Sequence, residues 1–92
     1  MFGINDLKDV LNPIGNMLLQ KNQDYGDSYK LLRDEYGVTA FHLRLADKFN
    51  RLKQVDRNGA KISESAEDTI KDIIGYCTLE LLYRKNDGGT TK

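Results

Sequence analysis

Three acidic residues, Glu64, Asp68 and Asp72, follow one another at intervals of four in the last third of the chain. Residues four apart stack along one side of an α-helix, so these carboxylates would form a single acidic row. Carboxylate oxygens are the ligands that a hard divalent cation such as Mg²⁺ prefers. The same row would suit an ordinary solvated helix start, because acidic side chains complement the positive N-terminal end of a helix. The spacing alone leaves both interpretations open.

The residues that continue this row favour a covered surface. Tyr76 lies one helical turn after Asp72, and Leu79 and Tyr83 project to nearly the same side. A face exposed to water would normally stay polar to its end, so we expect another helix or a second subunit to cover it. The opposite side is the predicted core face, formed by Ile70, Ile73, Ile74, Cys77 and Leu81.

A second cluster, Arg44, Asp47, Lys48 and Arg51, combines basic and acidic groups at helical spacing. Its basic side chains could hold phosphate groups, for which the planar guanidinium of arginine is geometrically suited. Asp47 and Arg51 could instead form an ordinary surface ion pair, worth only a few tenths of a kcal/mol. A helix carrying carboxylates that faces a basic helix would make a pocket for a phosphate and a metal ion.

Residues 21–28 concentrate several groups capable of chemistry within one predicted turn. The structural interpretation is a polar turn whose backbone conformation is set by Gly26. In the functional interpretation, Lys21 contacts a phosphate, Tyr25 stacks on a base, and Asp24 or Asp27 joins the metal.

The composition limits the classes of protein that the chain could belong to. Its 92 residues fit one domain, and its 14 basic and 14 acidic residues leave no net charge, so nucleic acid is an unlikely partner. Cys77 and His42 are the single residues of their types, which excludes an internal disulfide and a site rich in Cys or His. Neither has a visible nucleophile–base arrangement, so no catalytic residue is identified. Without a long apolar run or a signal-like start, we expect a cytoplasmic protein with no membrane partner.

Helix-period apolar spacing predicts an all-α fold, and strand-like alternation is missing from the sequence. The predicted helices cover about residues 4–22, with a bend or interruption at Pro13, 28–36, 39–57, and from Ser63 or Ser65 to about 85. Gly37 is the predicted stop of the second helix.

We expect a single helical domain over residues 1–85 and a flexible C-terminal tail over residues 86–92. The domain is a small bundle of about four helices. A chain this short buries limited apolar surface by itself, so we expect oligomerisation to complete it.

Three segments, in this order along the chain, resemble those of a known family. They are residues 21–28 (Lys-Asn-Gln-Asp-Tyr-Gly-Asp-Ser), residues 44–52 and residues 64–76. Over about residues 20–80 the chain resembles the nucleotide modification associated domain that is common in bacteriophage genomes. That family in turn resembles the all-α NTP pyrophosphatases, namely the MazG-like and dimeric dUTPase-like enzymes.

The resemblance implies a dimer or higher oligomer in the cytoplasm of a bacterial or phage-infected cell. The pyrophosphatases hydrolyse nucleoside triphosphates to monophosphate and pyrophosphate, using Mg²⁺ held by acids on two helices. Asp72 matches the aspartate of their second motif, Asp68 stands one position from its glutamate, and Asp47 matches the first acid of their first motif. Lys48 and Arg51 replace further acids, which leaves a mixed site that would still bind a phosphorylated nucleotide.

These observations lead to three hypotheses. In the first, the chain is an enzyme that hydrolyses a nucleotide with Mg²⁺ held by Asp47, Asp68 and Asp72. In the second, it is a non-catalytic protein that sequesters a nucleotide and counters host nucleotide signalling. In the third, it is a structural or regulatory helical homo-oligomer. The first two share the same predicted phosphate- or base-binding residues, which are Lys21, Tyr25, Arg44, Lys48, Arg51 and Tyr76.

Overall fold

The computed structural model describes residues 1–25, 27–58 and 66–86, without the side chains of residues 23–25 and 58. These ranges form four helices, α1 (Ile4–Tyr25), α2 (Ser28–Tyr36), α3 (Thr39–Asn58) and α4 (Ala66–Asn86). Strands are absent from the described ranges, which confirms the all-α prediction. No helix in this part of the chain is long and apolar enough to cross a membrane.

Several sequence predictions fall outside the described part of the chain. They concern the side chains of Asp24 and Tyr25, the turn residue Gly26, the caps Ser63 and Ser65, the acid Glu64, and the tail beyond residue 86.

The first helix continues through Pro13 as one element, so of the two predicted alternatives the interruption is wrong, and the bend stays a prediction. Proline removes one backbone hydrogen bond from a helix interior, which makes a break plausible from sequence. Ile14, the next residue, is buried at 3% exposure, and its packing helps to hold the chain helical across that missing bond. Much of the apolar surface of α1 nevertheless stays exposed, including Val10, Leu11 and Leu19.

A short connection turns the chain between α2 and α3 as predicted. Gly37 adopts a positive φ of 70°, and its N–H donates to the carbonyl of Arg33 over 2.9 Å, which ends α2. This backbone conformation carries no steric cost only for glycine. The amide of Ala40 then donates to the carbonyl of Gly37, and two residues, Gly37 and Val38, separate α2 from α3.

Helices α3 and α4 run antiparallel and form the most extensive helix pair in the described part of the molecule. Lys48 contacts Asp72, and one turn away Arg44 lies over the ring of Tyr76. The side of α4 that carries Asp72 and Tyr76 is therefore covered by another helix of the same chain, one of the two expected possibilities.

The predicted core face of α4 is wrong in part. Three of its five residues are half-buried, but Ile70 and Leu81 are exposed, whereas Thr69, Glu80 and Tyr83 are buried. Apolar residues occur on most sides of this helix, so their spacing did not single out the side that packs. The neighbouring helices instead cover the side that includes the ionised residue Glu80. Hydrophobic periodicity cannot identify such a side, because it locates only apolar residues.

Candidate functional site

A cavity of about 360 Å³ lies where the four helices meet. All four contribute to its wall. Five residues singled out by the sequence line it, namely Lys21, Arg44, Lys48, Asp72 and Tyr76. The fold thus brings together side chains that lie up to 55 positions apart in the chain.

The charged part of the cavity wall is mainly basic. The Nζ of Lys48 lies 3.1 Å from Oδ2 of Asp72, and these side chains are 14% and 25% exposed. The guanidinium of Arg44 lies 5.9 Å from the ring centre of Tyr76, within range of a cation–π contact. Among the described residues, Lys21 and Arg44 form no ion pair with a carboxylate, so two cations of this wall remain open to an anion.

The remaining wall is apolar and aromatic. Tyr29 packs against Tyr76 with ring centres 6.1 Å apart and planes tilted by 43°. Gly75 also lies in this wall, and a Cβ there would come within 3.3 Å of a methyl carbon of Leu18. The missing side chain therefore lets α1 approach α4 closely. Leu32 and Leu79 complete a surface suited to a flat, largely apolar group such as a nucleobase.

Three other predicted site residues, Asp47, Arg51 and Asp68, do not line this cavity. Asp47 and Arg51 form an exposed ion pair at 3.6 Å, with side chains 59% and 55% exposed. This is the ordinary surface pair that the spacing also allowed. Asp68 is exposed on α4, and the side chain of Tyr25 lies outside the described residues.

The described acids do not form a metal-binding group. Within residues 1–25, 27–58 and 66–86, no three His, Cys, Asp or Glu side chains lie close enough to hold a metal ion. The predicted set of Asp47, Asp68 and Asp72 is therefore not assembled. Asp72 alone lines the cavity, and Lys48 already neutralises it. Mg²⁺ usually takes one or two carboxylates together with substrate phosphates, so Asp72 by itself would be a minimal set of protein ligands. Metal binding at these acids stays a prediction.

A buried ion pair beside the cavity was not anticipated from the sequence. The Nε and Nη2 of Arg33 donate to the two oxygens of Glu80 over 2.8 and 2.9 Å, with side chains 3% and 4% exposed. The hydroxyl of Tyr29 donates to Oε1 of Glu80 over 2.7 Å, and the Nε of Arg84 to Oε2 over 2.6 Å. The guanidinium of Arg33 also lies 4.7 Å from the ring centre of Tyr83. These groups tie α2 to α4.

The charge state of this network follows from its hydrogen bonds. Those donated by Arg33 are the main cause that lowers the pKa of Glu80 from 4.5 to about 2, against the opposing effect of burial. Burial, and then the hydrogen bond to Glu80, raise the pKa of Tyr29. At neutral pH the carboxylate of Glu80 is ionised and the phenol of Tyr29 is protonated, as their hydrogen bonds require.

Acid should weaken the fold through Glu80. The pKa of this group is lower in the folded chain, so its contribution to stability is present above pH 4.5 and is lost as the pH falls towards about 2. Urea unfolding at neutral pH, about pH 5 and about pH 3 should show the free energy of unfolding falling mainly over the last interval. A double variant without the pair, Arg33→Met with Glu80→Leu, should lose less over that interval. Equal losses in both proteins would contradict this assignment.

The comparison with known proteins concerns the same part of the chain. A family model described as nucleotide modification associated domain 1 matches residues 21–83, which is more than half of the chain. The matched range contains every charged residue of the cavity wall. No curated protein and no solved structure matches the chain.

Proposed function

The chain belongs to the nucleotide modification associated domain 1 family, and from this membership we propose that it is a nucleotide-handling protein that binds a phosphorylated nucleotide in the cavity between its four helices. The observation that carries the proposal is that a basic part, Lys21, Arg44 and Lys48, and an apolar part with aromatic rings line the same cavity. These two sets of side chains complement the two parts of a nucleotide, an anionic phosphate and a flat base.

The basic part supports phosphate binding through Lys21, Arg44 and Lys48. Hydrogen bonds between ionised partners are shorter and stronger than neutral ones, and arginine can bind two phosphate oxygens at once. The ring of Tyr76 lies 5.9 Å from the guanidinium of Arg44, a weak cation–π contact that favours this position of the exposed arginine.

The apolar part supports base binding. Tyr29, Leu32 and Leu79 line the cavity from α2 and α4, and Leu18 lines it from α1. The stacking role that the sequence suggested for Tyr76 is less well supported, because Arg44 and Tyr29 already lie against its ring. In our proposal Tyr29 is the principal aromatic contact and Tyr76 positions Arg44.

We favour binding, as in sequestration or sensing of a nucleotide, over hydrolysis. A MazG-like pyrophosphatase would need several carboxylates around Mg²⁺, and Asp72 is the one carboxylate among the described residues of the cavity. Phage origin and assembly into a homo-oligomer stay predictions. Exposed apolar side chains such as Val10, Leu11 and Leu19 on α1 offer a surface that a second subunit could cover.

Titration calorimetry of the purified chain with nucleoside mono-, di- and triphosphates, with and without Mg²⁺, tests the proposal. At least one nucleotide should bind saturably and raise the melting temperature, because a ligand that binds the folded state stabilises it. The matching nucleoside without phosphate should bind at least roughly tenfold more weakly.

Chromatography of the same mixtures would detect hydrolysis, and pyrophosphate release would add an enzymatic step to the proposal. Failure of every nucleotide to bind at millimolar concentration would refute it.

A further inference from the structure

The cavity contains an anion of its own at the place where a phosphate would bind. We propose that Asp72 is a displaceable counter-ion of Lys48, which a nucleoside monophosphate replaces without help from a metal ion. The inference rests on the proposed function and specifies the substrate class and the role of one residue in the same site.

The charge of the cavity wall favours a monophosphate. Three cations, Lys21, Arg44 and Lys48, face one carboxylate, that of Asp72, so the described wall carries a net charge of +2. A phosphate monoester carries about −1.5 to −2 charges at pH 7 and has three acceptor oxygens. Each further phosphate would add negative charge without a matching cation in the described wall. A volume of about 360 Å³ is also near the lower end of the range for small-molecule pockets, roughly 300–1,000 Å³.

The geometry of the ion pair between Lys48 and Asp72 allows a phosphate to replace the carboxylate. The pair is a single contact of 3.1 Å between partly exposed side chains, unlike the two-pronged buried pair of Arg33 and Glu80. An ammonium has three donors, so Lys48 can turn towards a phosphate without leaving α3. Asp72 is 25% exposed, so its carboxylate can turn to water. A phosphate entering the cavity brings more charge than Asp72 and is also attracted by Arg44 and Lys21.

Neutralising Asp72 should change the affinity for the nucleotide in opposite directions if it is a counter-ion and if it is a metal ligand. If Asp72 competes with phosphate for Lys48, its neutralisation raises the net charge of the wall and leaves Lys48 available. Binding then becomes tighter. If Asp72 holds Mg²⁺, as the pyrophosphatase resemblance implies, the same change removes a ligand and binding becomes weaker.

The test is titration calorimetry of AMP, CMP, GMP and TMP, and of the matching triphosphates, in EDTA. In the wild-type chain the best monophosphate should bind at least as tightly as its triphosphate. Asp72→Asn should lower the Kd for that monophosphate by roughly tenfold, the size expected when one competing charge-assisted bond is removed. Asp56→Asn, which removes an exposed charge on α3 outside the cavity, should leave the Kd within about twofold. Asp72→Ser provides a second neutral variant if the first does not fold.

The outcomes distinguish failure of this inference from failure of the proposed function. Three results would each overturn the inference and leave nucleotide binding intact: the triphosphate binds more tightly in EDTA, the monophosphate needs Mg²⁺, or the neutral Asp72 variants bind no more tightly than the wild type. Absence of binding by every nucleotide, with or without Mg²⁺, would overturn the proposed function itself.

Discussion

Replacing Arg33 by methionine should lower the free energy of unfolding by about 3–5 kcal/mol, which is a large part of the stability of a chain this small. The substitution leaves the carboxylate of Glu80 buried with its main partner missing. Arg84 and Tyr29 still donate to that carboxylate, but the bidentate contact and the cation over Tyr83 are lost. Urea unfolding followed by circular dichroism at neutral pH would measure the difference.

Two further variants show whether the cost comes from the unpaired charge. Arg33→Met combined with Glu80→Leu removes both charges, and it should recover most of the lost stability, since a buried pair replaced by apolar groups is often neutral. Arg51→Met breaks the exposed pair with Asp47 and should cost less than about 1 kcal/mol. A double variant no more stable than Arg33→Met alone would show that α2 and α4 depend on the ion pair itself.

Neutralising Arg44 and Lys48 together should weaken nucleotide binding by roughly a hundredfold or more, which corresponds to two charge-assisted hydrogen bonds to phosphate. The variant is Arg44→Gln with Lys48→Gln, and calorimetry with the tightest nucleotide of the panel gives the change in Kd. Both residues lie on one face of α3, four positions apart, and that face lines the cavity. Thermal unfolding without ligand would confirm that the variant is folded.

The matched control removes the same charges elsewhere on the same helix. Lys53 and Arg57 are exposed on α3 and do not line the cavity, so Lys53→Gln with Arg57→Gln should change the Kd by less than about threefold. Similar weakening in both double variants would mean that the overall charge of α3, rather than contacts in the cavity, attracts the nucleotide.

Much of the helical architecture was predictable because its signals are local. Gly37 ends α2 since only glycine adopts its backbone conformation freely, and Thr39 starts α3 two residues later. Such signals depend on a few neighbouring residues. Pro13 was the exception, because whether a proline breaks a helix depends on packing from distant elements.

The buried side of α4 was not predictable from apolar spacing. Its most specific contact is the ion pair of Glu80 with Arg33, and Glu80 stands within an apolar run, Leu79-Glu80-Leu81-Leu82, whereas Arg33 follows two leucines and precedes Asp34. A single charge flanked by leucines is a usable signal, since such a residue is seldom buried without a partner. The sequence does not say which opposite charge is that partner, because the choice depends on how the helices pair.

The candidate site could be predicted in part. Helical spacing groups Arg44 with Lys48, and the fold places both on the cavity wall opposite Asp72. The motif resemblance treated Asp47 and Arg51 as members of the same set, but in the structure they form an exposed pair outside that wall. A sequence motif lists neighbouring residues together even when the helix places their side chains on different sides.

The hydrogen bond from Tyr29 to Glu80 also affects the conformational entropy that is lost when a ligand binds. The ring of Tyr29 lines the cavity while its hydroxyl is fixed to a buried carboxylate, so folding has already restricted its rotamers. Immobilising a flexible side chain at an interface costs about 0.5–1.5 kcal/mol, and a ligand that packs on this ring avoids most of that entropy loss. The recognition surface is therefore preorganised by the same bond that helps to join α2 to α4.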